Sequence, residues 1–526
     1  MIPLGTLKTT VQRALQKISR VKDVQEAEVF TSSTGHLTCR LNYTSEIPCN
    51  GVEEPKSFES FGIGIRAVFT GTDDEGPRVG FGSEARDFSP GAIHRALEKA
   101  RQNAVADPEF VSLPAPVATS QAGRGAHRFA RYHDPAIMDL KGSTLVEAGW
   151  RVIHEALKTF TSSPHLAALA GSKDNLASLG LIVGGDVSLI QQRLAVASTR
   201  MPKAQTDEST LVTSLVTAMV ERQNAKGSGY SAATHLAKFR GEAGSEAARN
   251  AIEASEGRRI PSGTYAAILG PQPVNDLMVN LVLPSLSADT FYACRSAFLG
   301  EIGRPIASKL LTVYDHGAAR GMAGSKRITC EGLPTGRTDL IKQGVLTGLL
   351  SNHYETQRLL RDPQAREKLG LNLQDHPEVL EPRNGFRISG KGGRQFDVTP
   401  SIAATNIFIE GSAPHKTDSL LRLVGDGVYI GRIWYTYAMN GLRAGDFTCT
   451  VVGDSYRIQD GRIGAPIPGN TLRITGNIRQ VLQNILGITK EARPVVGWGA
   501  DEIVYAPEVA VRELHLTEIA QFMESV

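Results

Sequence analysis

The sequence predicts an α+β protein of two domains. An N-terminal mixed α/β domain spans 1–235, and a C-terminal strand-rich domain of largely antiparallel sheet spans 236–526. Three observations carry this. The chain has 526 residues, more than one core usually serves. Short apolar and alternating runs recur along most of its length. The second half holds two hairpin signals, Lys342-Gln343-Gly344 and Asp460-Gly461, each between apolar runs.

Taken in order, Leu7, Val11, Leu15 and Ile18 fall at helical spacing, so the chain begins with an amphipathic helix. Strands are expected at Val24 to Val29, Leu37 to Tyr43, Phe61 to Phe69 and Arg78 to Ser83. Asp73-Asp74-Glu75 lacks the ligand spacing of a calcium loop and reads as a solvated hairpin turn. Ser89-Pro90 opens a helix through Ile93, Ala96, Leu97 and Ala100, with proline in the first turn. Pro108 to Arg131 is a loop. A helix from Ser143 or Thr144 carries His154-Glu155, but a zincin needs a histidine at 158, where Lys158 stands, so the pair reads as a solvated face. Residues 166–201 hold short alternating runs. Gly227-Ser228-Gly229-Tyr230 reads as a flexible break before an Ala-rich helix from His235 to Glu256, where the domain boundary is placed.

The next stretch is the one that bears on chemistry. Tyr265 to Leu269 is a strand closed by Gly270-Pro271. Asn275 or Asp276 could cap a helix with Leu277, Met278, Leu281 and Val282 on its apolar face, bent or ended by Pro284. A strand follows at Leu310 to Tyr314, with a turn at Asp315-His316-Gly317. Residues 361–383 read as an exposed, charged insertion. Gly390-Lys391-Gly392-Gly393-Arg394 lacks the Ser or Thr of a P-loop and reads as a mobile loop. A short helix is expected at Thr417 to Leu423; the family resemblance given below implies further strands at Ala404 to Ile409 and from Gly445-Asp446-Phe447-Thr448, and a helix from Ile478 to Ile485. Trp434-Tyr435-Thr436-Tyr437 reads as a core strand, with a partner contact as the alternative.

Composition excludes several classes. Net charge is +3, from 57 basic and 54 acidic residues, which is not a nucleic-acid footprint. No apolar run has the length of a membrane span, and Met1-Ile2-Pro3-Leu4-Gly5 lacks signal-peptide features. The five cysteines are scattered and form no CxxC, so neither a disulfide framework nor a thiolate zinc site is indicated. A soluble cytoplasmic protein is expected, with no nucleic-acid or membrane partner.

Many short elements together resemble the TldD/PmbA family. They include Gly62-Ile63-Gly64-Ile65-Arg66, the order of elements over 264–316 with a serine matched by Ser296, Glu331-Gly332, the 338–350 hairpin, Ala404 to Gly411, Gly445 to Thr448 and Thr475-Gly476-Asn477. The resemblance implies that the 275–285 helix corresponds to one that carries H-E-x-x-x-H in the zinc-bearing branch. Val279 and Pro284 stand at the two histidine positions and Asn280 at the glutamate. No cysteine follows Cys449, where that branch supplies its third ligand late in the chain; Val496 to Ala500 occupies that neighbourhood. Zinc hydrolysis needs imidazoles to hold the ion and a carboxylate to activate its water. The chain therefore resembles the metal-free, PmbA-like branch. No residue is assigned a catalytic, metal-binding or cofactor-binding role, and no cofactor is expected. What the resemblance implies is a non-catalytic subunit that pairs with a zinc-bearing subunit, or with itself, and helps to enclose an extended peptide. Two other readings stay open: a stand-alone hydrolase using Cys330 with Glu331 or Asp315 with His316, and a binding or regulatory protein.

Overall fold

The computed structural model describes residues 1–47, 50–71, 76–115, 133–138, 140, 142–389, 392–497 and 502–519. The Asp73-Asp74-Glu75 turn, most of the 108–131 loop, Gly390-Lys391 and Trp498 to Ala500 lie outside the described residues.

A seven-stranded antiparallel sheet forms the first domain. Its order across the sheet is 105–106, 78–85, 56–69, 24–44, 181–198, 205–220, 225–233. The two strands expected between residues 24 and 43 are one, Val24–Thr44, paired along its length with Lys56–Phe69 and Leu181–Ser198. Its polar middle, Ser32-Ser33-Thr34, reads as a gap because strand periodicity looks for apolar residues. Ser32 and Thr34 lie on the face the second domain covers, where the Thr34 hydroxyl donates to the Arg394 carbonyl at 3.0 Å; Ser33 points the other way, and its Oγ accepts the Ile2 N–H at 3.0 Å.

Two pairs of helices cover the sheet. Leu4–Ile18 and Pro90–Gln102 bury Leu7, Val11, Ile93 and Leu97 against Val29, Ile63 and Ile65. The expected Ser89 start is seen: its Oγ accepts the Ala92 N–H at 3.1 Å. At the other end Gly142–Thr161 and Glu242–Glu253 pack together over Val183, Val212 and Val216. His154 is on the exposed side of the former.

This second pair corrects two expectations. The flexible break at 227–230 is the middle of the edge strand Ala225–Ala233. A Cβ on Gly227 would lie 2.1 Å from the Ala251 nitrogen, and one on Gly229 2.0 Å from the Ala243 carbonyl. The glycines let the 242–253 helix rest directly on the strand. That helix, with Ala243, Ala247 and Ala251 buried, belongs to the first domain's core, so the division follows it instead of falling at 236.

The second domain is built on a thirteen-stranded sheet. Most pairings are antiparallel; Asn406–Gly411 runs parallel to Ile503–Glu518 and Gly427–Ile430 to Gly263–Leu269. The Asp460-Gly461 turn joins Ser455–Gln459 to Arg462–Ile467, with φ of 50° and 69° as a two-residue hairpin loop requires. The 361–383 segment is not an exposed insertion. Leu369, Leu373, Val379 and Leu380 are buried in the main core, and the charged residues between them face out. Nor is 434–437 a core strand: Arg432–Ala438 bonds on one side only, to Asp446–Gly453, and Tyr435 and Tyr437 are 70% and 58% exposed. A bulge there puts Tyr435 at φ 57°.

Candidate functional site

The strand Gly263–Leu269 ends at Gly270, and Pro271 starts a helix at once, four residues before the expected cap. Proline suits the first helical position because its missing N–H would have had no partner there. The helix runs to Ser285 and passes through a π-helical segment, Met278–Val282. That wider turn accommodates Pro284, whose ring would otherwise press on the Asn280 carbonyl. It also changes which side chains are neighbours. In an α-helix, residues five apart point ~140° away from each other. In a π-turn, whose N–H reaches back five residues, they lie nearly one above the other. Val279 and Pro284 are five apart.

The serine that fixed this alignment closes the helix. The Ser296 hydroxyl donates to the Ser285 carbonyl at 2.6 Å and accepts the Phe298 N–H at 2.9 Å. Val279 is half-buried against the main core, Pro284 is half-buried, and Asn280 is exposed. The Asn280 amide donates to the Asp276 carbonyl at 2.9 Å, one turn back. Under the helix, burial raises the Asp276 carboxyl; burial and then Asp276 raise the Cys449 thiol, so Cys449 is an inert core residue.

Chemical groups gather elsewhere, in the seam between the domains. Loop 384–400 crosses the first sheet. A Cβ on Gly64 would lie 2.2 Å from the Phe396 carbonyl, so glycine there admits a second backbone. Glu28 lies at the centre, fully buried, and receives Arg66 at 2.9 Å and Arg387 at 2.5 Å. Burial alone would raise its carboxyl, but the two arginines hold it below the usual range. Arg394 donates to Asp207 at 2.6 Å, Gln192 at 2.7 Å and Ser209 at 2.9 Å.

Cys330 and Glu331 belong to this seam. Burial pushes the thiol up to about 11 and the Glu331 carboxyl up to about 7, Arg66 opposing both burial and Glu28 in the latter. One Glu331 oxygen accepts the His353 N–H at 3.1 Å; the other is buried with no hydrogen-bond partner. Neither group is open to a substrate. Asp315 and His316 do not form a pair, because adjacent strand residues point to opposite faces. Asp315 is buried and accepts from Thr405 N–H at 2.9 Å, Thr405 Oγ1 at 2.7 Å and Asn384 at 2.6 Å. His316 is depressed by burial and by Arg337. Sequence reasoning missed the seam as a unit, since Glu28, Arg66, Glu331 and Arg387 come from four distant segments.

Residues 262–518 match the family described as PmbA/TldA metallopeptidase C-terminal domain. The C-terminal half of the chain is thus similar to the TldD/PmbA family. A metalloprotease of Methanothermobacter thermautotrophicus is 23% identical over 257 residues, 49% of this chain and 50% of that protein. The metalloprotease TldD homolog of Buchnera aphidicola (subspecies Acyrthosiphon pisum) is 25% identical, over 48% of this chain and 46% of its own length. Metalloprotease PmbA of Escherichia coli O157:H7 is 22% identical, over 47% and 45%. The chain thus matches about half the length of these curated relatives. TldE from Thermococcus kodakarensis shares the fold over 97% of this chain and 100% of its own, with a TM-score of 0.75 at 16% identity. A protein described as a modulator of DNA gyrase from Bacteroides thetaiotaomicron gives 0.71 at 15%, over 97% and 99%.

TldD/PmbA relatives carry the name metalloprotease, so the fit of a zinc ion to this chain can be asked of its own residues. At the helix it fails: Val279 and Pro284 have no lone pair to give, and the Asn280 amide is turned to its own backbone. Among the described residues no three His, Cys, Asp or Glu side chains gather as a metal site would require. No helix among them is long and apolar enough to cross a membrane.

Proposed function

We propose that this chain is the metal-free, non-catalytic subunit of a TldD/TldE-like metallopeptidase that acts on peptides. Its partner is a zinc-bearing subunit of the same family, and together they enclose an extended substrate. The observation that carries this reading is the 271–285 helix. Its π-turn and the Ser296 closure are intact, and the three side chains a hydrolytic centre needs are hydrocarbon, amide and proline.

Two further features support it. Strand 205–220 turns Val212, Val216 and Ala218 toward the helices, while Leu215, 41% exposed, and half-buried Leu211 and Met219 lie on the uncovered face. An apolar sheet face of this kind suits a partner subunit. The free thiols of Cys39, Cys294, Cys330 and Cys449 fit a reducing, cytoplasmic compartment. The test is a peptide-cleavage assay with this chain alone, a zinc-bearing family member from the same genome alone, and both together. Cleavage is expected to be absent with this chain alone and strongest with both. Chelator-sensitive cleavage by this chain alone would overturn the proposal.

A further inference from the structure

The fully buried arginines of the seam, Arg387 and Arg394, each pair with a carboxylate, whereas half-buried Arg432 pairs with none. It lines a cleft of about 240 Å³ between the domains, with Thr217, Lys226 and Ser228 from the first sheet and Trp434 and Asp454 from the second. Its guanidinium lies 5.8 Å from the centroid of the Trp434 ring and makes no hydrogen bond or ion pair with any described residue. Burial lowers its pKa, and Asp454, the acid whose charge it feels, only partly offsets this. A half-dehydrated cation with open donors is costly unless an anion arrives.

Asp454 is already engaged. One oxygen accepts the Ser228 N–H at 3.2 Å and the other the Ser228 hydroxyl. It is held in place by a left-handed φ of 49° and by Gly431, where a Cβ would lie 1.9 Å from the Asp454 carbonyl. Each of its oxygens keeps a lone pair for one more N–H. The cleft thus offers a planar cation with open donors, an anchored acceptor and an indole wall. A phosphate dianion would meet the Asp454 charge; a monoanionic carboxylate that carries its own N–H would use both groups. The volume is below the ~300–1,000 Å³ of pockets that swallow whole drug-sized ligands, so it suits the end of a chain.

We propose that this cleft binds the C-terminal carboxylate of a peptide, with the carboxylate on Arg432, the last amide N–H toward Asp454 and the last side chain against Trp434. The choice of a peptide rests on the subunit reading above; the carboxylate assignment rests on the cleft alone. The probes are N-acetyl-Ala-Ala-Phe as free acid and as C-terminal amide, titrated calorimetrically into the full chain without partner or zinc. The acid is expected to bind at least ~10-fold more tightly than the amide, as a charge-assisted bidentate pair requires. Arg432→Gln should abolish that preference and Arg432→Lys restore it only in part, since lysine is a point charge. Thr217→Phe, which leaves Arg432 in place and fills the mouth, should block both peptides. Equal binding of acid and amide, an unchanged preference in Arg432→Gln, no binding of either peptide, or displacement by inorganic phosphate at the same concentration as by acetate would each overturn the proposal. Because no cleavage is measured, failure here leaves the subunit reading standing, and failure of the cleavage assay leaves the carboxylate preference standing.

Discussion

The 271–285 helix presents an open flank carrying Val279, Asn280 and Pro284, whereas the seam collects Glu28, Arg66, Cys330, Glu331 and Arg387 where nothing outside can reach them. One region offers access, but its side chains at 279 and 284 have no lone pair to give. The other has charges, a thiol and a carboxyl shifted to about 7 without access. A shifted titratable group is often taken as the mark of an active site. Here the shift comes from burying a docking joint between two domains, and the comparison shows that access has to be established before chemistry is assigned.

The largest effect should come from breaking the joint. Glu28→Ala leaves Arg66 and Arg387 facing each other across a buried gap. Removing one member of a buried charge group costs about 3–5 kcal/mol. An exposed cluster gives the control: Arg95, 53% exposed, meets Glu84 and Asp87 on the first domain's surface, and Arg95→Ala should leave the unfolding midpoint nearly unchanged. Urea unfolding of both variants measures this. Equal small losses would mean that the seam is wet and that its charges are not structural.

A smaller and pH-dependent effect should come from Glu331. Its carboxyl is raised from 4.5 to about 7, first by burial, so the folded state binds a proton that the unfolded state has released between those values. Stability is therefore lost as pH rises from about 4.5 through about 7, and the loss is complete above that. His353 works in the opposite sense: burial depresses it to about 4, so its contribution is lost as pH falls from 6.5 toward 4. Glu331→Gln removes the first effect and keeps the second. It should stabilise the protein at pH 8 by on the order of 3 kcal/mol, with the advantage vanishing near pH 4.5. Unfolding midpoints at pH 8, 6 and 4.5 test this; a difference that does not change with pH would show that burial does not hold the proton.

How much of this was legible follows from where each signal is written. The Ser89-Pro90 start and the Asp460-Gly461 turn are local backbone chemistry and are legible in the sequence. Gly227 and Gly229 were misread because their reason, the 242–253 helix, arrives from elsewhere in the chain. The same holds for Ser32 and Thr34, which lie on the face the second domain covers, and for the buried leucines of 361–383. At the candidate site the chemistry of Val279, Asn280 and Pro284 is legible from residue types alone. The π-turn beneath them could not, since Pro284 signals only a disturbance. Arg432, Lys226 and Ser228 meet across some two hundred residues, and no spacing rule would join them.

The last prediction puts the missing groups on the open flank. Val279→His and Pro284→His with Asn280→Glu restore the side chains of a hydrolytic centre at positions five apart. If the π-turn survives, the two imidazoles share a face and can touch one ion. Zinc held by two imidazoles lacks the third protein ligand that catalytic sites use, and no cysteine follows Cys449 to supply it. Replacing Pro284 also removes the ring that the wide turn accommodates, which favours a return to α-helix and swings the two positions apart. The triple variant should therefore retain no zinc through gel filtration and cleave no peptide alone. Metal analysis of the eluted protein and the cleavage assay check the two halves separately. Stoichiometric zinc without cleavage would show that the flank keeps more of its geometry than this account gives it. Zinc with cleavage would show that the open region lacked only its groups, and the contrast with the seam would then rest on three side chains.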